Sequence, residues 1–189
     1  MAITKLIAKT DFTGDLPTLP TSMDASRLNH CIIEAQEVYL RPLVGDAMYN
    51  DLLKNAAVTD NAKLLNGEEY TDPQGVVVQF AGLKYAVAYW TLAVYAPEAQ
   101  DTYTSHSLAI KTNGYSEPLS DKAIGRKVSH YKAVAGVYWD AARKYIEDRL
   151  TAFPLYNKSI RDTNRATVRI NAVGGTGRIN TNECKDYNT

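Results

Sequence analysis

From Asp24 onward, apolar residues recur every three or four positions: Leu28, Cys31, Ile32, Ala35, Val38 and Tyr39. That spacing predicts a helix with one buried face. Ser22 is its expected N-cap, Asp24 adds negative charge to the first turn, and Pro42 predicts an end near Leu40. LVGDAMYNDLLKN then reads as a short second helix capped by Asp46, with Met48, Tyr49, Leu52 and Leu53 on one face. Residues 59–75 read as a polar loop carrying one helical turn at 62–65. A third helix follows from about Pro73 to Tyr95, and Pro97 is expected to stop it. The fourth runs from Ser120 to about Ala152, with Ile124, Val128, Tyr131, Ala135, Tyr138, Ala142, Tyr145 and Leu150 as its apolar stripe. Arg126, Lys127, Asp140, Arg143 and Lys144 mostly decorate its other side.

Between the last two helices the pattern changes. Leu108 and Ile110 alternate with polar residues, Asn113-Gly114 is a strong hairpin-turn signal, and Pro118 cuts the second arm short. The expected fold is therefore mainly α: a four-helix bundle with a small β-hairpin at about 105–119. Residues 1–153 form the core and 154–189 an extended C-terminal arm. The arm is polar, with a strand signal at 166–173 and a glycine-rich break after it. Alone it cannot bury enough apolar surface to fold, so it is disordered or ordered by binding something else.

Composition narrows the class. The chain has 189 residues, 45% of them apolar and 22% charged, in the range of a soluble globular domain. Lys+Arg and Asp+Glu are 21 each, so net charge makes no global argument for nucleic acid or an anionic membrane. Thirteen tyrosines against three phenylalanines favour half-buried surfaces, which suits either interfaces or amphipathic core packing. The opening MAITKLIAKTDFTGDLP has too short an apolar stretch for a signal peptide. Residues 75–96 are long enough to span a bilayer, but Lys84 near the middle, Gln79 and five scattered aromatics fit a buried central helix better. Cys31 reads as a small buried hydrophobe and Cys184 lies in the arm, so a reducing compartment is the default.

Catalytic patterns are absent from the sequence. His30, His106 and His130 fall on separate elements without metal-site spacing, so no cofactor or metal is expected. VGGTGRIN at 173–180 lacks the Lys-Ser/Thr end of a P-loop, and no helix follows it. The pairs Glu68-Glu69 and Glu147-Asp148 are solvent-type neighbours, and no Gly-x-Ser-x-Gly elbow occurs. The expectation is no enzyme. Lys158, Arg161, Arg165, Arg169, Arg178 and Lys185 stand against Asp162, Glu183 and Asp186 in the arm. That excess supports an alternative reading, a small nucleic-acid-binding protein using the basic tail. A solvated extension, or a strand donated to a neighbour, is the stronger reading of the same segment.

The order of elements and several local words resemble the head–tail connector proteins of tailed bacteriophages, most like those of crAss-like phages. The residues concerned are IIEAQEVYLRPLVGDAMYNDLL (32–53), LKYAVAYWTLAVYA (83–96) and IKTNGYSEPLSDKAI (110–124), with YIEDRLTAF closing the last helix. The likeness runs from about Ile3 to Phe153. It implies a virion structural protein with no catalytic residues. About twelve copies would form a ring between the portal and the tail or a second ring, with DNA only as passing cargo and no membrane. It implies assembly in the host cytoplasm and residence at the head–tail interface. Near-neutral net charge suits a conduit that must not hold its cargo. Ring subunits need two complementary patches, and the expected contact residues are Leu108, Ile110, Asn113, Gly114 and Tyr115 in the hairpin, with Arg161, Arg165, Val168 and Ile170 in the arm.

Overall fold

The computed structural model describes residues 4–12, 16, 19, 24–99, 101–103, 108–110 and 120–156. Its order is α1 (Ala25–Ala35), a π-helical stretch (Gln36–Leu40), α2 (Arg41–Val44), α3 (Asp46–Lys54), α4 (Thr59–Asn66), β1 (Glu68–Thr71) and β2 (Val77–Phe80). Then come α5 (Leu83–Glu98), β3 (Asp101–Tyr103), β4 (Leu108–Ile110) and α6 (Asp121–Asp148). The protein is mainly helical, with a small antiparallel hairpin in the connection between its last two helices, as the sequence predicts. The chain divides into a body, Met1–Tyr156, and the segment Asn157–Thr189. Phe153 and Tyr156 are both buried in the core of the body.

α5 is the central element. Nine of its sixteen residues are buried, so its apolar positions surround it instead of forming one stripe. It packs most extensively against α6 and next against α1. Lys84 escapes that burial by pairing with Asp11, 3.2 Å away, on the short 3-10 turn at Lys9–Asp11. Among the described residues no helix is long and apolar enough to cross a membrane. Pro97 does not stop α5, which continues through Glu98, and the Ala99 amide still reaches the Tyr95 carbonyl at 2.8 Å.

The first helix departs from expectation at both ends. Ser22 lies outside the described residues; Asp24 is the N-cap, its carboxylate accepting the Ser26 amide at 2.8 Å. The helix does not end at Leu40 but passes through the π-helical stretch into α2, where Pro42 sits in the first turn. Proline has no N–H to return to the preceding turn, and the π-helical stretch falls at that turn. Gln36 follows Leu28 and Ile32 at four-residue spacing on the inner face and is fully buried. Its Oε1 accepts the Leu6 amide at 2.7 Å, and its Nε2 donates to the Thr4 carbonyl at 3.3 Å and to the Tyr49 hydroxyl at 3.4 Å. One side chain thus ties the N-terminal segment, α1 and α3 together. Asp46 opens α3 as its first residue, and Gly45, at φ 82, occupies the N-cap position.

The expected polar loop at 59–75 is instead α4 followed by β1, and the expected start of the third helix is β2. Asp72 builds the turn between the strands, its Oδ1 accepting the amides of Gln74 at 3.0 Å and Val76 at 2.8 Å. Tyr70 pairs with Val78 and Glu68 with Phe80 across the strands. Gly67 and Gly82, both at positive φ, let the two ends of this insertion cross at backbone distance. α6 begins where expected, with the Ser120 side chain accepting the Ala123 amide, but it ends at Asp148. Leu150 therefore leaves the stripe and is 46% exposed, while Trp139 and Ile146 join the core.

Candidate functional site

The residues singled out as contact groups separate into two sets. Leu108 and Ile110 lie on β4, paired in register with Tyr103 and Asp101 of β3. The expected hairpin is therefore shifted: Leu108–Ile110 is the second arm, not the first, and its partner precedes it in sequence. Asn113, Gly114, Tyr115, Arg161, Arg165, Val168 and Ile170 lie outside the described residues. Both two-stranded sheets, β1–β2 and β3–β4, have no third strand among the described residues. Their outer edges carry backbone groups suited to pairing with another chain, and Val76 and Val77 beside one edge are 57% and 61% exposed.

The polar groups of the body serve mainly to lock elements together. Glu68 of β1 accepts the Tyr145 hydroxyl at 2.7 Å and pairs with Arg149 at 2.8 Å and Lys63 at 2.9 Å. Burial pushes its carboxyl up, but the Tyr145 hydroxyl, Lys63 and Arg149 outweigh that and hold it below the ordinary range. Arg149 also lies over the rings of Tyr70 and Tyr145, and the Tyr70 hydroxyl donates to Asp148 at 3.2 Å. This network pins the β1–β2 hairpin to the end of α6.

Two hollows open on the body, the first beside this network. One of 480 Å³ is lined by Glu68, Glu69, Gln79 and the backbone around Gly67, but the Glu68 carboxylate is already committed. The other, of 220 Å³, lies between Met48, Asp51, Asn61 and Phe153–Leu155. Asn61 and Asn55 donate to the Asp51 carboxylate and lower its pKa.

His30, Glu34 and Glu98 bring donor atoms within 4.8 Å of one another at the junction of α1 and α5, an arrangement able to approach a metal ion. Its imidazole is largely exposed, and Glu98 Oε2 lies 3.3 Å from the Cys31 thiol that donates to it. Arg27 donates to the Glu98 carbonyl at 2.7 Å. These contacts give Glu98 a structural use. Burial first, then the Glu98 carboxylate, pushes the Cys31 thiol up to about 12, so it stays protonated. Cys31 is thus a buried small group, as expected, with a hydrogen bond added.

The described tyrosines serve packing, one of the two uses open to them. Each of the ten whose side chains are described is buried or half-buried in the body. Tyr85 and Tyr89 of α5 meet Tyr138 of α6 with ring centroids 5.2 and 5.7 Å apart, and Tyr89 also reaches Tyr131. They form a seam within the bundle.

A family model, described as a family of unknown function (DUF6712), matches residues 40–166. The matched span contains both sheets, α5, α6 and the first residues of the arm. No curated protein matches the chain. No solved structure matches it.

Proposed function

We propose that this chain, which belongs to the DUF6712 family, is a structural subunit of a tailed-bacteriophage virion. In this reading about twelve copies form a ring that joins the portal to the tail or to a second ring, and DNA passes through the lumen. The subunit assembles in the host cytoplasm and resides at the head–tail interface. Its chemistry is contact rather than catalysis.

The observation that carries the reading is the small hairpin in the connection between α5 and α6, on a helical body whose described carboxylates are largely occupied in holding its own elements. An open strand pair gives a backbone edge for a neighbour, and heterologous ring contacts need such an asymmetric patch. Leu108 and Ile110 on β4, with Asn113, Gly114 and Tyr115 beyond it, supply one surface. Arg161, Arg165, Val168 and Ile170 of the arm supply the other.

The test is co-assembly. Light scattering of the full chain mixed with a cognate portal should give a complex containing a ring of copies, and Leu108→Asp with Ile110→Asp should weaken it while the body stays folded. A chain indifferent to portal, with or without those changes, would remove the proposal.

A further inference from the structure

The N-terminal half of α6 has a face that the bundle does not use. From Asp121 to Val134 no residue is buried; Ile124, Val128, Tyr131 and Val134 are only half-buried along the inner side. The outward side carries Lys122, Arg126, Lys127, His130 and Lys132, all exposed. No Asp or Glu occurs between Asp121 and Asp140. At 100° per residue, Lys122, Arg126 and His130 share one flank with Lys127 beside them. Lys132 sits on the opposite flank, over the Tyr39 ring at 5.3 Å. Lys122, Arg126 and Lys127 have no acidic partner among the described residues, unlike Arg41, Lys63, Lys84, Arg143 and Arg149.

The strip between these flanks is smooth. Gly125, Ser129, Ala133 and Gly136 follow one another along it, ending at Val137, which is 69% exposed. A Cβ added at Gly125 or Gly136 would meet nothing within 4 Å. Glycine inside a helix costs stability, and packing among the described residues gives no reason for either one. Close approach of another backbone does.

We propose that this face docks the phosphate backbone of a nucleic acid duplex without reading its sequence. The cations extend from residue 122 to residue 132, about 15 Å of helix at 1.5 Å per residue, while a duplex carries a charge every ~1.7 Å of its axis. His130, its ring centroid 5.9 Å from that of Tyr131, is the one ring α6 places on the face, so the run of successive aromatics on which unpaired bases stack is missing, which favours duplex backbone over single strands. Small residues between the cations let that backbone lie against the helix. A second copy of this chain is the weaker fit, because the carboxylates of Asp11, Glu37, Asp46, Glu68, Asp72 and Glu147 are already held by cations of their own body, which leaves few described acids, Asp60 and Glu69 among them, to meet the cationic face. The inference does not rest on the ring reading and is tested without a portal.

The experiment is fluorescence anisotropy of a labelled generic duplex with the full chain, titrated at several salt concentrations. Three to four phosphate contacts predict a log–log salt slope of about −3 to −4, so affinity falls by about two orders of magnitude between about 50 and 200 mM salt. The triple variant K122Q/R126Q/K127Q, substituted at exposed positions and checked for folding by circular dichroism, should lose about 0.9 of slope per contact removed. A variant with R161Q, R165Q and R169Q in the arm serves as the control and should keep the helix contribution. An unchanged slope in the helix variant, or no salt-dependent binding by the wild type at about 50 mM, overturns the proposal. A helix variant that changes the self-associated mass while the wild type ignores DNA also overturns it, in favour of a contact between copies.

Discussion

Gln36 offers the sharpest test of how the body is held. Replacing it with leucine keeps a similar volume in a site that is fully buried, so no large cavity forms. What changes is polar accounting at three partners. The Leu6 amide, on a residue only 6% exposed, loses its acceptor at 2.7 Å in a buried position. The Thr4 carbonyl belongs to an exposed residue and can be rehydrated. The Tyr49 hydroxyl keeps its bond to Glu37 at 2.9 Å. The cost is therefore close to that of one orphaned buried amide, about 1–3 kcal/mol. For a chain of this size, 2 kcal/mol lowers the melting temperature by roughly 4–8 °C. Urea unfolding followed through Trp90 and Trp139, both buried, reads the change as a lower midpoint at unchanged slope. Hydrogen exchange at the Leu6 amide should accelerate in parallel. A Gln36→Leu variant within about 0.3 kcal/mol of wild type would refute the claim that this side chain anchors the N-terminal segment.

Three further outcomes follow from the same geometry. Glu68→Gln should cost about 1 kcal/mol at neutral pH, since it removes two partly exposed ion pairs but keeps an acceptor for Tyr145. Because the folded carboxyl lies below its ordinary 4.5, the wild-type advantage is present above that value and shrinks as pH falls through the lowered one; chemical unfolding from pH 7 to pH 3 should show the two curves converging. Gly67→Ala should destabilise by about 3 kcal/mol or more, because φ is +87 and a Cβ would overlap the Phe80 carbonyl; thermal unfolding of a near-native variant would contradict this. Gly136→Ala should stabilise the isolated chain by about 0.5–1 kcal/mol, measured by urea titration, since nothing crowds the added methyl.

Much of the helical framework is legible because periodicity reports burial directly. α6 shows this at Ala135, Ala142 and Tyr145, all buried as their spacing predicts. β1 and β2 were not, although the signal was present. Asp72-Pro73-Gln74-Gly75 is turn chemistry, Gly75 sits at φ 83, and Val78 and Phe80 turn inward while Val77 and Gln79 stay exposed. The valine run merges with the apolar run of α5, so length alone suggested one long helix; Gly82 is the break. The prolines misled in the opposite direction. Pro42 follows a π-helical stretch that local spacing does not announce, and Pro97 falls in a last turn that tolerates the lost donor. At the surface, net charge of zero concealed segregation: the acid-free stretch between Asp121 and Asp140 was in plain view, but whole-chain balance averages it away.

The most direct test of the ring-subunit proposal is the mass and copy number of the complex formed with a cognate portal, by light scattering and native mass spectrometry. Individual contacts can be weak and gain strength through avidity, so the mixture decides more than the isolated chain does. A discrete complex with one ring of about a dozen copies per portal ring is expected, weakened by charge introduced at Leu108 and Ile110. A chain that elutes apart from the portal at every concentration, with the variants behaving alike, would contradict it.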